Sequence, residues 1–409
     1  MSSRRHFLGA TGLAAGGLAA ANLLPRHANA EMFFGPHQPG ITTTPQSHIY
    51  LAIFDVNTSK RADLIALLRD WTDVSARMSA GLPAAPIDDD LTRPAADSGE
   101  AIGMDPARLT LTFGFGAELF SLDGADRFGI ARARPAALID LPHFPGDQFE
   151  PGKSGGALMV QACADDPTIA FHAVRQLARR GDGIVSIKWV SAGFSSGRRV
   201  KGTPRNLLGF KDGTMNPDVA DQRVMQQSVW VGPEGPGWMQ GGTYAVVRRI
   251  RVALDHWDQM KLGFQEQTIG RHKYSGAPLG DTHEFAPLDL AATNAQGDLV
   301  IPQTAHARLG APAANGGAQM LRRGYSYSYG AGFAAERWPP WKQAVEFDAG
   351  LLFVAFQKDP RTGFVRVFTP MSRIDALNQF TTHTGSGLFA CPGGVQAGGY
   401  IGQGLFQAL

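Results

Sequence analysis

A single carboxylate lies between glycines in segment 209–217, which reads GFKDGTMNP. Glycine has no Cβ, so Gly209 and Gly213 let the backbone turn tightly and bring Asp212 close to a flat ligand or a reacting atom. A carboxylate placed in this way can accept and return a proton as a general base and acid. Asp-Gly is also a common turn, and on this segment alone that interpretation stays open.

Two segments further along the chain contain side chains that could act on a metal centre. His306 lies in segment 301–309, IPQTAHARL, and imidazole is a common axial ligand of haem iron. Arg322 and Arg323 follow an apolar pair and precede aromatic residues, so they could pair with anionic groups of a cofactor. The alternatives are a histidine that is only hydrogen-bonded and two solvated arginines on a surface strand.

Three short motifs resemble other active sites but fail on their context. The G-x-S-x-G sequence at 193–197 is followed by GRRVKG, which is no helix start, and this argues against a serine hydrolase. The GKS sequence at 152–154 has Asp147 where a phosphate loop needs glycine. The GSG sequence at 385–387 is only part of a dinucleotide fingerprint. Hydrolase, phosphate-loop and dinucleotide-binding classes are therefore set aside.

Two other side chains compete with His306 as metal ligands. His383 precedes a strand-like run near the C-terminus, and Cys391 could ligate haem as a thiolate. Pro392 and the apolar residues around Cys391 favour an inert buried thiol instead. The second cysteine, Cys163, lies in another predicted strand, so we expect both thiols to be free. Two cysteines also exclude a disulfide scaffold and a cysteine-based zinc cluster.

The elements that must position these residues follow a β-α-β-β-α-β order in the first half of the chain. Apolar periodicity predicts strands and helices in this order: strands at 48–56, 108–120, 157–164 and 184–190, and helical patterns at 64–71 and 171–177. This is the element order of a ferredoxin-like fold.

The second half repeats the pattern. Residues 243–254 form a predicted strand, and Asp255 can cap a following helix. Segment 350–360 parallels 156–167, because in both a strand runs into Asp-Pro at a predicted helix start. We therefore predict an α+β protein of two ferredoxin-like domains with antiparallel sheets, a tandem duplication. The Gly- and Pro-rich join near 200–240 is predicted to be a long functional loop.

The N-terminus predicts export from the cytoplasm. Residues 1–30 contain Arg4 and Arg5, then an apolar run rich in glycine and alanine, then the sequence ANA. This pattern is typical of a cleaved twin-arginine signal, so we expect the translocase as a partner and a periplasmic or otherwise exported protein. The glycines make the run a poor membrane-spanning helix, and we expect no stable membrane span.

Length and charge limit the remaining possibilities. The chain has 409 residues, 44% of them hydrophobic, which suits two folded domains. We place the N-terminal domain, with the glycine-flanked loop, at 31–235 and the C-terminal domain at 236–409. The formal charge is +2, and the basic leader accounts for it. The rest of the chain has a net charge near zero, which gives no reason to expect nucleic acid as a partner.

Together these segments resemble the dye-decolourising peroxidases, especially the twin-arginine-exported subgroup also described as deferrochelatase/peroxidase. The resemblance covers nearly the whole mature chain in order. The segments that carry it are GFKDG at 209–213, GRHK at 270–273 with GAPLG at 276–280, the segment around His306 and Arg308, LRRGYSY at 321–327, and GLLFVAFQ at 350–357. The family fold is a pair of ferredoxin-like domains, with haem b held mainly by the second.

The resemblance implies a role for each matching residue. His306 is implied as the iron ligand on the proximal side, and Asp212 and Arg322 as the acid–base group and the charge-stabilising cation on the distal side. Asp348 is expected to accept a hydrogen bond from His306. The other residues expected to bind haem are Gly213, Thr214 and Met215 along its edge and Arg271 at a propionate.

The predicted function is therefore a haem b-dependent peroxidase with one haem per chain. Hydrogen peroxide is the oxidant, and the reductant is a small molecule such as a dye or a phenol. The alternative is a haem-handling deferrochelatase that releases iron from haem in periplasmic iron uptake. The physiological donor and the oligomeric state stay open, with a homodimer or a larger homo-oligomer considered.

Overall fold

The structure is a computed structural model that describes residues 27–88, 90–197, 202–335 and 343–407. Most of the predicted export signal, residues 1–26, lies outside the described residues. Within the described part of the chain, no helix combines the length and the apolar character needed to cross a bilayer.

The first half folds as a ferredoxin-like unit, as predicted. Its elements are β1 (His48–Val56), α1 (Arg61–Ser79), β2 (Thr110–Gly116), α2 (Ala117–Phe120), β3 (Leu158–Ala164), α3 (Pro167–Arg180) and β4 (Val185–Phe194). The strands pair in the order β2-β3-β1-β4, and every pair is antiparallel. Asp166 caps α3 by accepting hydrogen bonds from Thr168 N and Ile169 N, with Pro167 in the first turn.

The second half repeats this arrangement. Its elements are β5 (Thr243–Val252), α5 (Leu254–Asp258), α6 (Leu262–Ile269), α7 (His306–Gly310), β6 (Leu321–Arg322), β7 (Tyr325–Ala335), β8 (Gln343–Gln357), α8 (Phe364–Ile374), β9 (Thr381–Cys391) and α9 (Gln403–Gln407). The strands pair antiparallel in the order β9-β5-β8-β7. The predicted duplication of two ferredoxin-like units with antiparallel sheets is confirmed.

The two units join edge to edge into one sheet. Strand β4 pairs with β7, and β2 pairs with β9, so eight of the nine strands in the described residues form a closed ring, and β6 lies beside β8. Residues of β1 alternate between two cores. Leu51 and Ile53 pack in one cluster, whereas Ala52 and Phe54 pack in another that includes residues of α1 and α3. Each cluster contains residues of both units.

Cys163 and Cys391 lie in the same cluster as Leu51 and Ile53. Both are buried with free thiols, as expected.

Several local predictions are corrected by the structure. The strand predicted at 108–120 ends at Gly116, where α2 begins. Asp255 lies in the first turn of α5 and does not cap it. The second Asp-Pro does not start a helix, because α8 begins at Phe364. The join near 200–240, predicted to be a loop throughout, contains α4 (Gln222–Ser228), and Asp221 caps this helix. The glycines and prolines around α4 hid its helical pattern in the sequence.

Candidate active site

A large apolar cavity lies in the second unit and is completed by the glycine-flanked loop. Strands β5, β8 and β9 and helices α7 and α8 contribute to its wall, together with loop residues 206–215. Its empty space amounts to about 1680 Å³ when the open mouth is counted. Apolar side chains form much of the wall: Leu208, Phe210, Ile250, Val252, Ile269, Leu351, Phe353, Phe364, Val367, Phe368, Met371 and Leu377.

Most of the predicted site residues meet in this cavity. Asp212, Arg322 and His306 all line it although they come from separate parts of the chain. The other predicted residues that line it are Gly213, Thr214, Met215 and Arg271. Asp348 does not line it.

His306 is the first residue of α7, and a buried carboxylate fixes its ring. Its Nδ1 lies 2.7 Å from Oδ2 of Asp375, whose side chain is 3% exposed. Because an ionised carboxylate only accepts hydrogen bonds, Nδ1 donates to Asp375, and in the neutral imidazole Nε2 then keeps its lone pair. Burial lowers the pKa of His306, but the Asp375 carboxylate, which also accepts its hydrogen bond, and the Asp212 carboxylate together raise it more, so the pKa lies above its ordinary value.

Asp375 is itself held in place. Its Oδ1 accepts a hydrogen bond from Leu377 N at 2.8 Å, so the carboxylate caps the short helical turn after α8. Ala376 N donates to Thr304 O at 2.9 Å, which ties this turn to the segment before His306. The segments that carry the carboxylate and the imidazole are therefore hydrogen-bonded directly to each other.

The prediction that Asp348 accepts the hydrogen bond from His306 is wrong. Both oxygens of Asp348 lie 2.8 Å from Nη2 of Arg249. That guanidinium is 1% exposed and also donates to Glu150 and Thr384. A buried cation is stable only when it is paired, so Asp348 is committed to Arg249. Asp375, 69 residues from His306, fills the role instead.

Asp212 and Arg322 form a loose pair within the cavity wall. Arg322 Nη1 lies 3.6 Å from Asp212 Oδ1, and both side chains are just under one-third exposed. Asn206 Nδ2 lies 3.4 Å from Asp212 Oδ2. Gly213 has a φ of +108°, a value that L side chains rarely adopt, so a glycine is needed where the chain turns after Asp212.

Asn216 is a positioning residue that the sequence analysis missed. Its Oδ1 accepts hydrogen bonds from Arg322 N at 3.2 Å and Arg322 Nε at 3.3 Å. Its Nδ2 donates to Arg322 O at 2.7 Å. One amide thus fixes the backbone and the guanidinium of Arg322 relative to the Asp212 loop. The Asn-Pro pair at 216–217, at the end of the same segment as Asp212, is the signal that could have indicated it.

Arg271 presents an unsatisfied donor. Its Nη1 donates to Gly276 O at 2.8 Å and to Glu284 O at 2.9 Å. Its buried Nη2 has no hydrogen-bond partner among the described residues. Burial lowers the pKa of Arg271, against the opposing charge of Glu284. A buried cation with a free donor beside an apolar cavity fits a ligand that carries an anionic group.

His383 also lines the cavity, but its surroundings differ from those of His306. It is 8% exposed, and its Nδ1 has no partner in the described part of the chain. Burial lowers the pKa of His383 to about 3, and the charge of Arg248 acts in the same direction. No carboxylate among the described residues fixes the His383 ring. Of the two imidazoles, His306 therefore has the geometry of a supported metal ligand.

These residues suit a flat, mostly apolar group that carries a metal and acidic substituents. The wall is apolar, one imidazole offers Nε2, and one buried guanidinium has a free donor. Haem combines these features, so the residues present fit the cofactor that the resemblance implies.

Comparisons with known proteins agree with this interpretation. Residues 38–195 match the family described as Dyp-type peroxidase, N-terminal, and residues 203–396 match Dyp-type peroxidase, C-terminal. The chain therefore belongs to the Dyp-type peroxidase family. It is accordingly a haem peroxidase enzyme.

Particular relatives carry two different names. The chain is 36% identical to the dye-decolorizing peroxidase of Thermobifida fusca (strain YX), over 90% of this chain and 84% of that one. It is 37% identical to the deferrochelatase of Escherichia coli (strain K12), over 92% and 87%. The structure of ferric DtpA from Streptomyces lividans superposes with a TM-score of 0.83 at 40% identity, covering 96% of this chain and all of that one.

Proposed function

We propose that this chain binds one haem b in the cavity that holds His306, Asp212 and Arg322, and that it uses hydrogen peroxide to oxidise dyes, phenols or similar donors. The proposal rests on one observation, which is that two catalytic features line the same apolar cavity. These are an imidazole fixed by a carboxylate and a carboxylate–guanidinium pair from other segments. Bound haem supplies an iron centre that takes oxidising equivalents from peroxide and passes them to the donor.

Each residue of the cavity has a separate role in this proposal. His306 would hold the iron through Nε2, because Nδ1 is committed to Asp375. Asp212 accepts a proton from one peroxide oxygen and returns it to the other, which leaves as water. The fixed charge of Arg322 stabilises the negative charge that develops on the departing oxygen. Arg271 would pair through Nη2 with a propionate, and Gly213, Thr214 and Met215 would contact the haem from the cavity wall.

The test of this function is a spectrum and an assay on protein expressed with adequate haem. We expect a Soret band that corresponds to one haem per chain, together with peroxide-dependent bleaching of a dye. Protein that shows no Soret band under these conditions contradicts the proposal.

Asp375→Asn tests the support of the ligand. We expect kcat/KM for peroxide to fall about 10- to 100-fold, because a neutral amide makes His306 a weaker electron donor. The haem reduction potential should rise at the same time, and a spectroelectrochemical titration measures it.

The matched control is Asp348→Asn, which removes a carboxylate bound to Arg249 and not to His306. It should lower the free energy of unfolding and leave the haem potential at the wild-type value. Equal potentials in wild type and Asp375→Asn would show that Asp375 does not act on the haem ligand.

Met215 is a predicted site of peroxide damage. It lines the cavity and is 37% exposed. Peroxide can transfer one oxygen to its thioether, giving the sulfoxide and water. During turnover, peptide mass spectrometry should find more oxidation at Met215 than at Met32, which is 61% exposed and does not line the cavity. We expect Met215→Leu to inactivate more slowly, and equal half-lives would count against this prediction.

Iron release from haem is the second candidate function. Relatives named deferrochelatase match over most of their length, and the cavity fits haem as cargo as well as it fits haem as cofactor. Incubation with haem followed by pigment analysis separates the two. Iron-free protoporphyrin supports the deferrochelatase, whereas haem recovered unchanged supports the peroxidase.

Export by the twin-arginine route is also part of the proposal. It is supported by Arg4 and Arg5 and by the ANA sequence that ends at Ala30. N-terminal sequencing of the periplasmic protein should give Glu31 as the first residue. Protein that stays in the cytoplasm with an intact leader would contradict this expectation.

A further inference from the structure

The carboxylate of Glu284 binds two points of segment 203–216, the Asp212 loop. Its Oε1 accepts a hydrogen bond from Thr203 N at 3.1 Å, and its Oε2 forms an ion pair with the ammonium of Lys211. Lys211 directly precedes Asp212 in the chain. One side chain therefore holds both the start of the loop and the residue next to the proposed acid–base group.

The Asp212 loop is cross-linked by its own backbone. Arg205 and Lys211 pair as an isolated antiparallel bridge. Asp212 N donates to Pro204 O at 2.9 Å. Because these bonds join the two sides of the loop, a displacement at its anchors also displaces Asp212.

The main chain of Glu284 holds a second functional group, the guanidinium of Arg271. Glu284 O accepts a hydrogen bond from Arg271 Nη1 at 2.9 Å, and Gly276 O accepts from the same nitrogen at 2.8 Å. These two bonds leave Nη2 as the donor that has no partner among the described residues. Glu284 therefore fixes the Asp212 loop with its side chain and the proposed propionate-binding arginine with its backbone.

Two glycines make room for the ion pair of Lys211 and Glu284. Gly202 has a φ of +81°, and a Cβ built on it would lie 2.9 Å from Glu284 Oε2 and 3.0 Å from Lys211 Nζ. Gly276 has a φ of +79°, and a Cβ built on it would lie 2.6 Å from Lys211 Cδ. The lysine stem therefore lies directly against the Gly276 backbone, whose carbonyl holds Arg271.

The ion pair is largely shielded from water. The side chain of Lys211 is 13% exposed and that of Glu284 is 11% exposed. Burial raises the pKa of Glu284, but the hydrogen bonds from Lys211 and Thr203 and the charge of Lys211 lower it more, so the carboxylate is ionised at neutral pH. Removing one partner of such a pair leaves the other charge buried and uncompensated. The pair therefore fixes the Asp212 loop more firmly than an exposed ion pair would.

We infer that Glu284 is a positioning residue that couples the binding of haem at Arg271 to the placement of Asp212. This inference rests on the proposed peroxidase function and adds to it a residue that does not line the active-site cavity. Both Arg271 and the Asp212 loop are bonded to Glu284, so a shift of one changes the support of the other. A propionate held by Arg271 thus helps to fix Asp212, and a displaced Asp212 loop weakens the hold on haem.

The first test is a double-mutant cycle on the reaction with peroxide. Glu284→Gln keeps the shape of the side chain and an acceptor for Thr203 N, but it removes the charge that holds Lys211. We expect stopped flow to show a reaction about 10- to 100-fold slower, the effect of a small misplacement of a reacting group. In an Asp212→Asn background the same substitution should have little further effect, because Glu284 acts through that carboxylate. A merely structural role would lower the rate by the same factor in both backgrounds.

The second test measures haem retention and needs no peroxide. The rate of haem transfer from the loaded protein to apomyoglobin should rise about tenfold in Glu284→Gln, the size expected when one charge-assisted hydrogen bond is weakened. Lys211→Gln removes the other partner of the pair and should change both rates in the same direction. The control Glu234→Gln removes a carboxylate that pairs with Lys358 at 3.1 Å and does not line the active-site cavity, so both rates should stay at the wild-type values.

The possible outcomes separate this inference from the proposed function. Wild-type rates of peroxide reaction and haem transfer in Glu284→Gln would overturn the inference, and so would an equal further loss in the Asp212→Asn background. Failure of both Glu284→Gln and Lys211→Gln to fold would also overturn it, by assigning the pair to the stability of the fold. A wild-type protein that binds haem but does not react with peroxide would contradict the proposed function. Faster haem transfer from Glu284→Gln would then still support the link between Glu284 and Arg271.

Discussion

The Asp212→Asn variant is expected to react with hydrogen peroxide about 10²- to 10⁴-fold more slowly than the wild-type protein, the range for loss of a positioned acid–base group. An amide cannot take the proton from one peroxide oxygen and return it to the other. The variant should keep its haem, because the contacts of His306 with Asp375 lie elsewhere in the cavity wall. Stopped-flow absorption measures the rate of the first spectral change after mixing with peroxide.

Asp218→Asn is the matched control for this experiment. Asp218 is an exposed carboxylate on the same loop, where it accepts a hydrogen bond from Ala220 N. We expect this variant to react at the wild-type rate. If Asp212→Asn also reacts at the wild-type rate, proton transfer does not depend on this carboxylate and the distal assignment is wrong.

Arg322→Leu is expected to lower the same rate about 10²- to 10³-fold, the usual effect of removing one preorganised group that stabilises developing charge. Leucine fills much of the space but leaves the departing oxygen without a cation. It also removes the hydrogen bond from Arg322 Nε to Asn216 Oδ1, which still accepts from the backbone N of residue 322. The reaction of peroxide with the variant is again followed by stopped flow.

Arg322→Lys distinguishes charge from geometry. Lysine keeps the positive charge but loses the planar fork that Asn216 orients. We expect a rate between those of wild type and Arg322→Leu. A lysine variant as slow as the leucine variant would show that orientation, and not charge, dominates. A leucine variant as fast as wild type would remove Arg322 from the mechanism.

Much of the fold can be predicted from local pattern. The strand predicted at 48–56 has the same bounds in the structure. It could be predicted because its sheet is covered on both faces, so residues on both sides of the strand are buried and form a long apolar run. The duplication is visible because each unit repeats the same strand and helix order. The pairing between the two units that closes the ring cannot be predicted from the sequence. Between β4 and β7, for example, only Phe194 pairs with Ser326. A single bridge leaves no periodic signal.

The candidate site is predictable only in part. The glycines around Asp212 mark a tight turn, and the arginines near 322 stand out by composition. The partner of His306 cannot be found in this way. Asp375 acts through a turn after α8, and nothing in the spacing of 69 residues distinguishes it from Asp348. The structure decides between them because Arg249 is buried and needs Asp348 as its counter-ion.

The ligation of haem iron by His306 is the central claim, and rescue of a cavity variant tests it most directly. We expect His306→Gly loaded with haem to lose the wild-type absorption spectrum and peroxidase activity, and added imidazole to restore both by occupying the vacated space. His383→Ala, the matched control in the same cavity, should keep the wild-type spectrum. A wild-type spectrum in His306→Gly without imidazole, or its loss in His383→Ala alone, would contradict the assignment.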